Sequence, residues 1–70
     1  MHTCSHCEEL SNALAKTLEQ LTSLTSAQLE AFRSNNMDEF ARLDKELENT
    51  VGAKERRFGA FREHQAQHTK

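Results

Sequence analysis

A single interruption divides the chain into two stretches that both have the apolar spacing of an α-helix. The interruption is Ser34-Asn35-Asn36, and none of the 70 residues is a proline that would stop a helix elsewhere. Asparagine tolerates the left-handed conformation that ends one helix, and it also caps the start of the next. A turn this short makes two long helices antiparallel neighbours. The sequence therefore predicts an all-α fold, an antiparallel two-helix hairpin (αα-hairpin) that forms a single domain over residues 1–70.

We expect the first helix over about residues 5–34, the turn over about 34–36 and the second helix over about 37–67. Ser5 and Glu8 fit a capping box in which Ser5 is the N-cap. Hydroxyl-bearing residues between positions 22 and 26 are poor helix formers. We expect the helix to continue through them, with room for a local bend near Thr25. The apolar positions have helical spacing in both stretches. They are Leu10, Leu14, Leu18, Leu21 and Leu24 in the first stretch, and Met37, Phe40, Leu43, Leu47, Val51, Phe58 and Phe61 in the second.

All cysteines and histidines of the chain lie within its first seven or last seven residues. They are His2, Cys4, His6, Cys7, His64 and His68. A Cys-x-x-Cys pair and a His-x-x-x-His pair are each spaced to bind one ion from a single side. If the turn is centred between Asn35 and Asn36, residues that face each other have numbers that sum to about 71, which places Cys7 opposite His64. The sequence therefore predicts a Cys2His2 zinc site with the ligands Cys4, Cys7, His64 and His68.

Other interpretations of the same residues stay open. His2 or His6 could replace one of the C-terminal histidines, the cysteines could be a redox pair, and the chain ends could be frayed. The spacing excludes a DNA-reading C2H2 finger, which has about twelve residues between its Cys pair and its first His. It also excludes a Cys-x-x-Cys-His haem attachment site, because Glu8 follows Cys7.

The size of the chain favours self-association. Below roughly 70–80 residues a single core seldom supplies enough stability without a metal, disulfides or an oligomer. Six apolar residues also widen the two stripes beyond the reach of one partner helix, so we expect a homodimer that forms a four-helix bundle. These residues are Leu18, Leu29, Phe32, Phe40, Val51 and Phe58. Gly52 and Gly59 are either tolerated within the second helix or mark a place where another helix approaches.

Charge and hydropathy argue against nucleic acid and membranes as partners. The net charge is −2, and the basic cluster of Lys54, Arg56, Arg57 and Arg62 is interspersed with acids, so nucleic-acid binding is not expected. The acidic segment 38–48 could pair with this cluster in a second chain that lies antiparallel, although exposed ion pairs are individually weak. No apolar run approaches the length of a membrane span, so we expect no membrane contact and a cytoplasmic protein.

These expectations combine into one functional hypothesis and one alternative. Zinc would clip the open end of the hairpin, and the hairpin would be a structural module for dimerisation or for an unidentified protein partner. The alternative is a metal or thiol-redox sensor that uses the same four ligands. A Cys2His2 set fills the zinc tetrahedron and leaves no position for a reactive water, so we expect no enzyme activity.

Overall fold

The computed structural model describes residues 5–68, and for His68 it describes the backbone alone. Over these residues the chain forms two helices, α1 (Ser5–Arg33) and α2 (Met37–His68), which pack against each other along their length. The predicted all-α helical hairpin is confirmed, and no strand occurs within residues 5–68. Ser5, expected as the N-cap, is instead the first residue of α1.

α1 continues without interruption through its hydroxyl-rich segment, so the bend considered near Thr25 is not a break in the helix. The Thr22 hydroxyl donates a hydrogen bond to the Leu18 carbonyl at 3.0 Å, and the Thr25 hydroxyl donates one to the Leu21 carbonyl at 2.8 Å. Each hydroxyl thus bonds to the helix itself, one turn back, and no longer competes for a non-helical backbone conformation.

The turn is a Schellman motif that ends α1 and leads directly into the cap of α2. The Asn36 amide donates to the Ala31 carbonyl at 2.8 Å, and the Asn35 amide donates to the Phe32 carbonyl at 3.0 Å. Asn35 has a φ of 58°, which is the left-handed conformation expected of it. The Asn36 side-chain oxygen accepts from the Glu39 amide at 3.3 Å, so Asn36 is the N-cap of α2.

The helices meet along a seam whose positions are spaced alternately three and four residues apart, as in a coiled coil. The contacts between the helices join residues whose numbers sum to about 71, for example His6 with His64 and Gln28 with Asp44, so such residues lie at similar heights along the hairpin. These seam pairs are Cys7 and His64, Leu10 and Phe61, Leu14 and Arg57, Thr17 and Lys54, Leu21 and Thr50, Leu24 and Leu47, Gln28 and Leu43, and Ala31 and Phe40. All of these residues except Arg57 are buried or half-buried.

Two polar residues of α1 lie in this seam, and both form hydrogen bonds to α2. Thr17 is the most buried side chain of the described residues, with 1% of its surface exposed. Its hydroxyl donates to the Ala13 carbonyl at 2.9 Å and accepts a hydrogen bond from Arg57 Nη1. The Gln28 amide nitrogen donates to Asp44 Oδ1 at 3.1 Å. Because specific partners satisfy both groups, these bonds favour one register of the two helices over others.

The hairpin is a single layer of helices. Its principal-axis extents, measured over Cα atoms, are 52 × 18 × 12 Å. Small domains usually bury their apolar surface between two layers of secondary structure. A single layer has two broad faces, and in this chain those faces differ in composition.

Candidate functional site

The open end of the hairpin, where α1 begins and α2 ends, carries the described part of the predicted zinc site. Cys7 lies in the first turn of α1, and His64 lies near the end of α2. Both side chains are half-buried, and both continue the seam beyond Leu10 and Phe61. The structure brings the first turn of α1 and the end of α2 together, with Cys7 and His64 at corresponding positions of the seam.

His6 contacts the predicted ligand His64. The two imidazole rings meet edge to face, with centroids 4.6 Å apart and planes inclined by 77°. His6 also lies near Glu9, whose carboxylate oxygen is 3.8 Å from His6 Nδ1. The sequence analysis gave His6 only as a replacement for one of the C-terminal histidines. The ring contact places a second imidazole directly beside His64, so His6 belongs to the same cluster.

Two of the four predicted ligands have side chains that the structure describes. Cys4 lies outside the described residues, as does His2, and His68 contributes only the backbone at the end of α2. Within residues 5–67, no group of three or more His, Cys, Asp or Glu side chains could hold a metal ion. The four-ligand site, which includes Cys4 and His68, stays a prediction.

The position of Cys7 is chemically favourable for a thiolate. The first turn of an α-helix has backbone N–H groups without helical acceptors, and these stabilise negative charge. The same effect lowers the pKa of cysteines at helix starts in general. A half-buried thiol at this point and an imidazole from the opposite helix are two ligand types that zinc prefers.

A second candidate site is the apolar face of the hairpin. We use this name for six side chains that remain 37% to 60% exposed: Leu18, Leu29, Phe32, Met37, Val51 and Phe58. Each lies one position after a seam residue or, for Met37, after Asn36, which continues the seam into the turn. One residue advances the helix by about 100°, and because the helices are antiparallel this rotation carries both sets to the same side. The exposed large apolar side chains of residues 5–67 therefore share one face.

Surface grooves confirm this shared side. Leu18 of α1 lines a groove together with Glu55 and Phe58 of α2. A second groove on α1 runs from Leu18 to Leu29 past Thr22 and Thr25. Both threonine hydroxyls bond to carbonyls of α1. Their methyl groups are consequently the parts left for the surface, which makes this groove more apolar than its sequence indicates.

The opposite face is polar. It carries a groove lined by Glu9, Asn12 and Lys16 near the open end. Near the turn it carries an ion-pair network in which Arg42 bonds to Glu39 through Nε and to Glu46 through Nη1, the latter at 2.7 Å. The hydrogen bond from Arg42 holds the pKa of the Glu39 carboxyl below its usual value. One face thus suits water, and the other suits an apolar partner.

The basic cluster of α2 does not form one surface. Arg57 bonds to Thr17 in the seam, and Lys54 is half-buried there. Arg62 lies over the ring of Phe58, with its guanidinium carbon 5.7 Å from the ring centroid. Arg56 lies one position before Arg57, which places it toward the polar face. A nucleic-acid surface needs basic groups on one side, and these four point in different directions.

The sequence patterns missed one hydrogen bond and placed two residues incorrectly. They assigned no role to the bond between Arg57 and Thr17, because arginine at a seam position usually indicates a solvated side chain. They also placed Phe40 among the residues that widen the stripe. Phe40 instead lies half-buried in the seam, with its ring centroid 6.0 Å from that of Phe32. Met37, taken as part of the inward stripe, is the residue exposed on the apolar face.

Over residues 5–68, neither α1 nor α2 combines the length and the apolar composition that a membrane-spanning helix requires. In comparisons with known proteins, no family model matches the chain, and no curated protein or solved structure matches it.

Proposed function

We propose that this chain is a non-catalytic structural module, a zinc-clipped helical hairpin that assembles with a second copy into a four-helix bundle. The observation that carries the proposal is the apolar face, on which Leu18, Phe32 and Phe58 remain about half exposed together with three further apolar side chains. Monomeric proteins rarely leave an apolar patch of this kind uncovered.

The exposed area supports a second copy of the chain as the occupant of this face. The hairpin exposes 5583 Å². A compact monomer of 8.0 kDa would expose about 4,450 Å² by the usual scaling of area with mass. The excess of roughly 1,100 Å² exceeds the ~800 Å² that each partner buries in a stable interface. Stacking two copies by their apolar faces would reduce this exposure and supply the second layer that the hairpin lacks.

Sedimentation of matched variants tests the dimer. Leu18→Asp places a charge in the middle of the apolar face, whereas Gln20→Asp places the same residue two positions away on the polar side of α1. Both residues are exposed in the hairpin, so the two substitutions have similar effects on the helix itself. We expect the unmodified chain and Gln20→Asp to sediment at twice 8.0 kDa, and Leu18→Asp to sediment at 8.0 kDa. A species of 8.0 kDa for the unmodified chain at high concentration would contradict the dimer.

The arrangement of the open end supports zinc as the clip. Cys7 and His64 are half-buried at the same height on opposite helices. Cys4 precedes Cys7 by three residues and His68 follows His64 by four, so each pair can bind one ion. With two thiolates the site is neutral overall, which reduces the cost of its burial. The proposal places the chain in a reducing compartment such as the cytoplasm, where thiols stay available to a metal.

Elemental analysis and thermal melts test the zinc clip. We expect about one zinc per chain in protein purified without added metal, and a large loss of stability on chelation. Cys7→Ser and His64→Ala should lose the metal, and His6→Ala should keep it. Loss of zinc from His6→Ala would show that His6 replaces a C-terminal ligand. Equal melting with and without chelator would remove the structural zinc. Release of zinc by mild peroxide would identify the sensor function instead.

A further inference from the structure

The side of the hairpin that carries the apolar face is built in levels seven residues apart on each helix. Each level has one residue from α1 and one from α2, and their numbers sum to 69, so they lie at nearly the same height. From the turn outward the levels are Phe32 and Met37, Thr25 and Asp44, Leu18 and Val51, and Ser11 and Phe58. The level of Thr25 and Asp44 is polar and lies between two apolar levels. Asp44 is held by the hydrogen bond from Gln28.

We infer that the second copy docks with the same end alongside, turn beside turn, so that α1 of each copy lies over α2 of the other. The inference rests on the proposed dimer and adds its orientation. The two-fold axis then runs along the length of the hairpin. Each level of one copy faces the same level of the second copy. Phe32 packs over Met37 of the second copy, and Leu18 packs over Val51. The acid Asp44 faces Thr25, a neutral residue whose hydroxyl bonds within α1, and Ser11 faces Phe58 of the second copy.

The opposite orientation brings unlike levels together. It stacks α1 on α1 and α2 on α2, with the turn of one copy toward the open end of the other. Centred on the polar level, it places Asp44 against Asp44 of the second copy, and Phe58 extends beyond the overlap. Shifted far enough to cover Phe58, it lays the polar level on a level that contains Phe58, Leu18 or Val51. Two like charges at close range weaken an interface, and so does a carboxylate that is laid on a wholly apolar level.

The outer rim of the face favours the same-end orientation as well. Its positions also follow a spacing of seven, and their numbers sum to 70. In the same-end dimer Glu8 lies at the height of Arg62 of the second copy, so opposite charges meet there. Leu29 lies at the height of Ala41, which pairs a large side chain with a small one. The charged segments of α2 do not argue for the opposite orientation, because the basic residues do not share one surface: Arg57 bonds to Thr17 in the seam, and Arg56 lies toward the polar face.

The same-end dimer brings the two open ends together. Each copy contributes one cluster of Cys7, His6 and His64, and both clusters lie at one end of the bundle. The proposed zinc sites would then be neighbours, and the turns would be neighbours at the other end.

Distances between spin labels on the two copies test the orientation. We would introduce a keto amino acid at position 34, in the turn, or at position 67, near the end of α2, and couple it to a hydroxylamine nitroxide. Ser34 and Gln67 are both exposed, and this chemistry leaves both native cysteines unmodified. Dipolar electron paramagnetic resonance then measures the separation between the two copies for each site.

The same-end dimer predicts separations below about 30 Å at both sites, since each label lies at the same height as its copy and helices are about 10–12 Å across. The opposite orientation predicts a separation of about 45 Å or more for at least one site, at ~1.5 Å per residue along the helix. That result would overturn the inference and leave the dimer intact. A monomer in sedimentation without any dipolar signal would overturn the proposed dimer and the orientation together.

Discussion

At the scale of single residues, the two asparagines of the turn have different conformations for different reasons. Asn35 takes the left-handed conformation that ends α1, whereas Asn36 accepts a hydrogen bond from the first turn of α2. Both roles were predictable because asparagine is favoured for each of them. The left-handed residue comes first and the N-cap second, because α2 starts immediately after the turn.

Position 35 offers a direct test of the turn. Asn35→Ala should lower the free energy of unfolding by about 1 kcal/mol, because a Cβ without a polar group disfavours a φ of 58°. Asn35→Gly is the matched control and should cost less, since glycine adopts this conformation without strain. Urea denaturation of the three proteins measures the difference. Equal free energies of unfolding for the alanine and glycine variants would contradict a left-handed conformation at position 35.

The Glu39 carboxyl provides a pH-dependent test at the same scale. Its hydrogen bond from Arg42 lowers its pKa in the folded state. The bond therefore contributes stability above the pKa of the unfolded chain, and this contribution is lost as the pH falls through the folded pKa. Arg42→Gln should return the Glu39 pKa toward its ordinary value. Nuclear magnetic resonance titration of the Glu39 side chain measures the shift, and an unchanged pKa in the variant would contradict the contact.

Residue spacing predicts the burial of Thr17 but not its hydrogen bond with the opposite helix. Thr17 lies between Leu14 and Leu21 at the helical spacing of the apolar stripe, and it has the lowest exposure of the described residues, 1%. The hydrogen bond from Arg57 was not predictable, because the direction of a long flexible side chain depends on which acceptor the opposite helix presents. Such a bond is visible only once the register of the two helices is known.

At the scale of the helices, the distinction between seam and apolar face depends on a rotation of one residue. Phe40 and Met37 have similar hydropathy, yet Phe40 lies in the seam and Met37 lies on the apolar face. A stripe read from the sequence is wide enough to contain both rows. The width of the stripe indicated that a second partner must cover part of it. Which residues belong to the seam and which to the apolar face follows only from the packing of α1 on α2.

The glycines of α2 allow a test of what else contacts this helix. A Cβ built at Gly59 would have no atom within 4 Å, and one at Gly52 would lie 3.5 Å from Arg56 Nη1, an ordinary contact with a flexible side chain. Gly59→Ala and Gly52→Ala should therefore each stabilise the protein by up to about 1 kcal/mol through helix propensity. Chemical denaturation at two protein concentrations measures this. A loss of stability that grows with concentration would show that another helix packs against these glycines.

At the scale of the whole molecule, folding and assembly should be coupled. A single layer of two helices covers only one side of each helix, and the apolar face adds burial when a second copy is present. Mass action then makes stability depend on protein concentration. We expect the melting temperature to rise by several degrees between micromolar and hundred-micromolar protein, and Leu18→Asp to abolish the dependence. Circular dichroism melts over this range measure it, and a constant melting temperature would argue against coupling.

Part of the candidate metal site could be predicted by counting residues outward from the turn, and part could not. Counting outward from the turn placed Cys7 at the height of His64, and both are half-buried at the open end of the structure. The edge-to-face contact between His6 and His64 was not predictable, since His6 lies one position before the seam. Counting finds the height of a side chain but not the rotamer that decides which neighbour it touches.

The constant sum of 71 along the seam has a consequence for how the chain can change in length. Loss of a single residue from either arm would turn every position beyond it by about 100° and separate the open end from its partners. Excision of residues 18–24 together with residues 47–53 removes seven positions from each arm at matching heights. Such a shortened hairpin would be about 10 Å shorter per arm and would still bring Cys7 level with His64. The length of this hairpin can therefore change by seven residues in each helix at once without a change in which residues face each other.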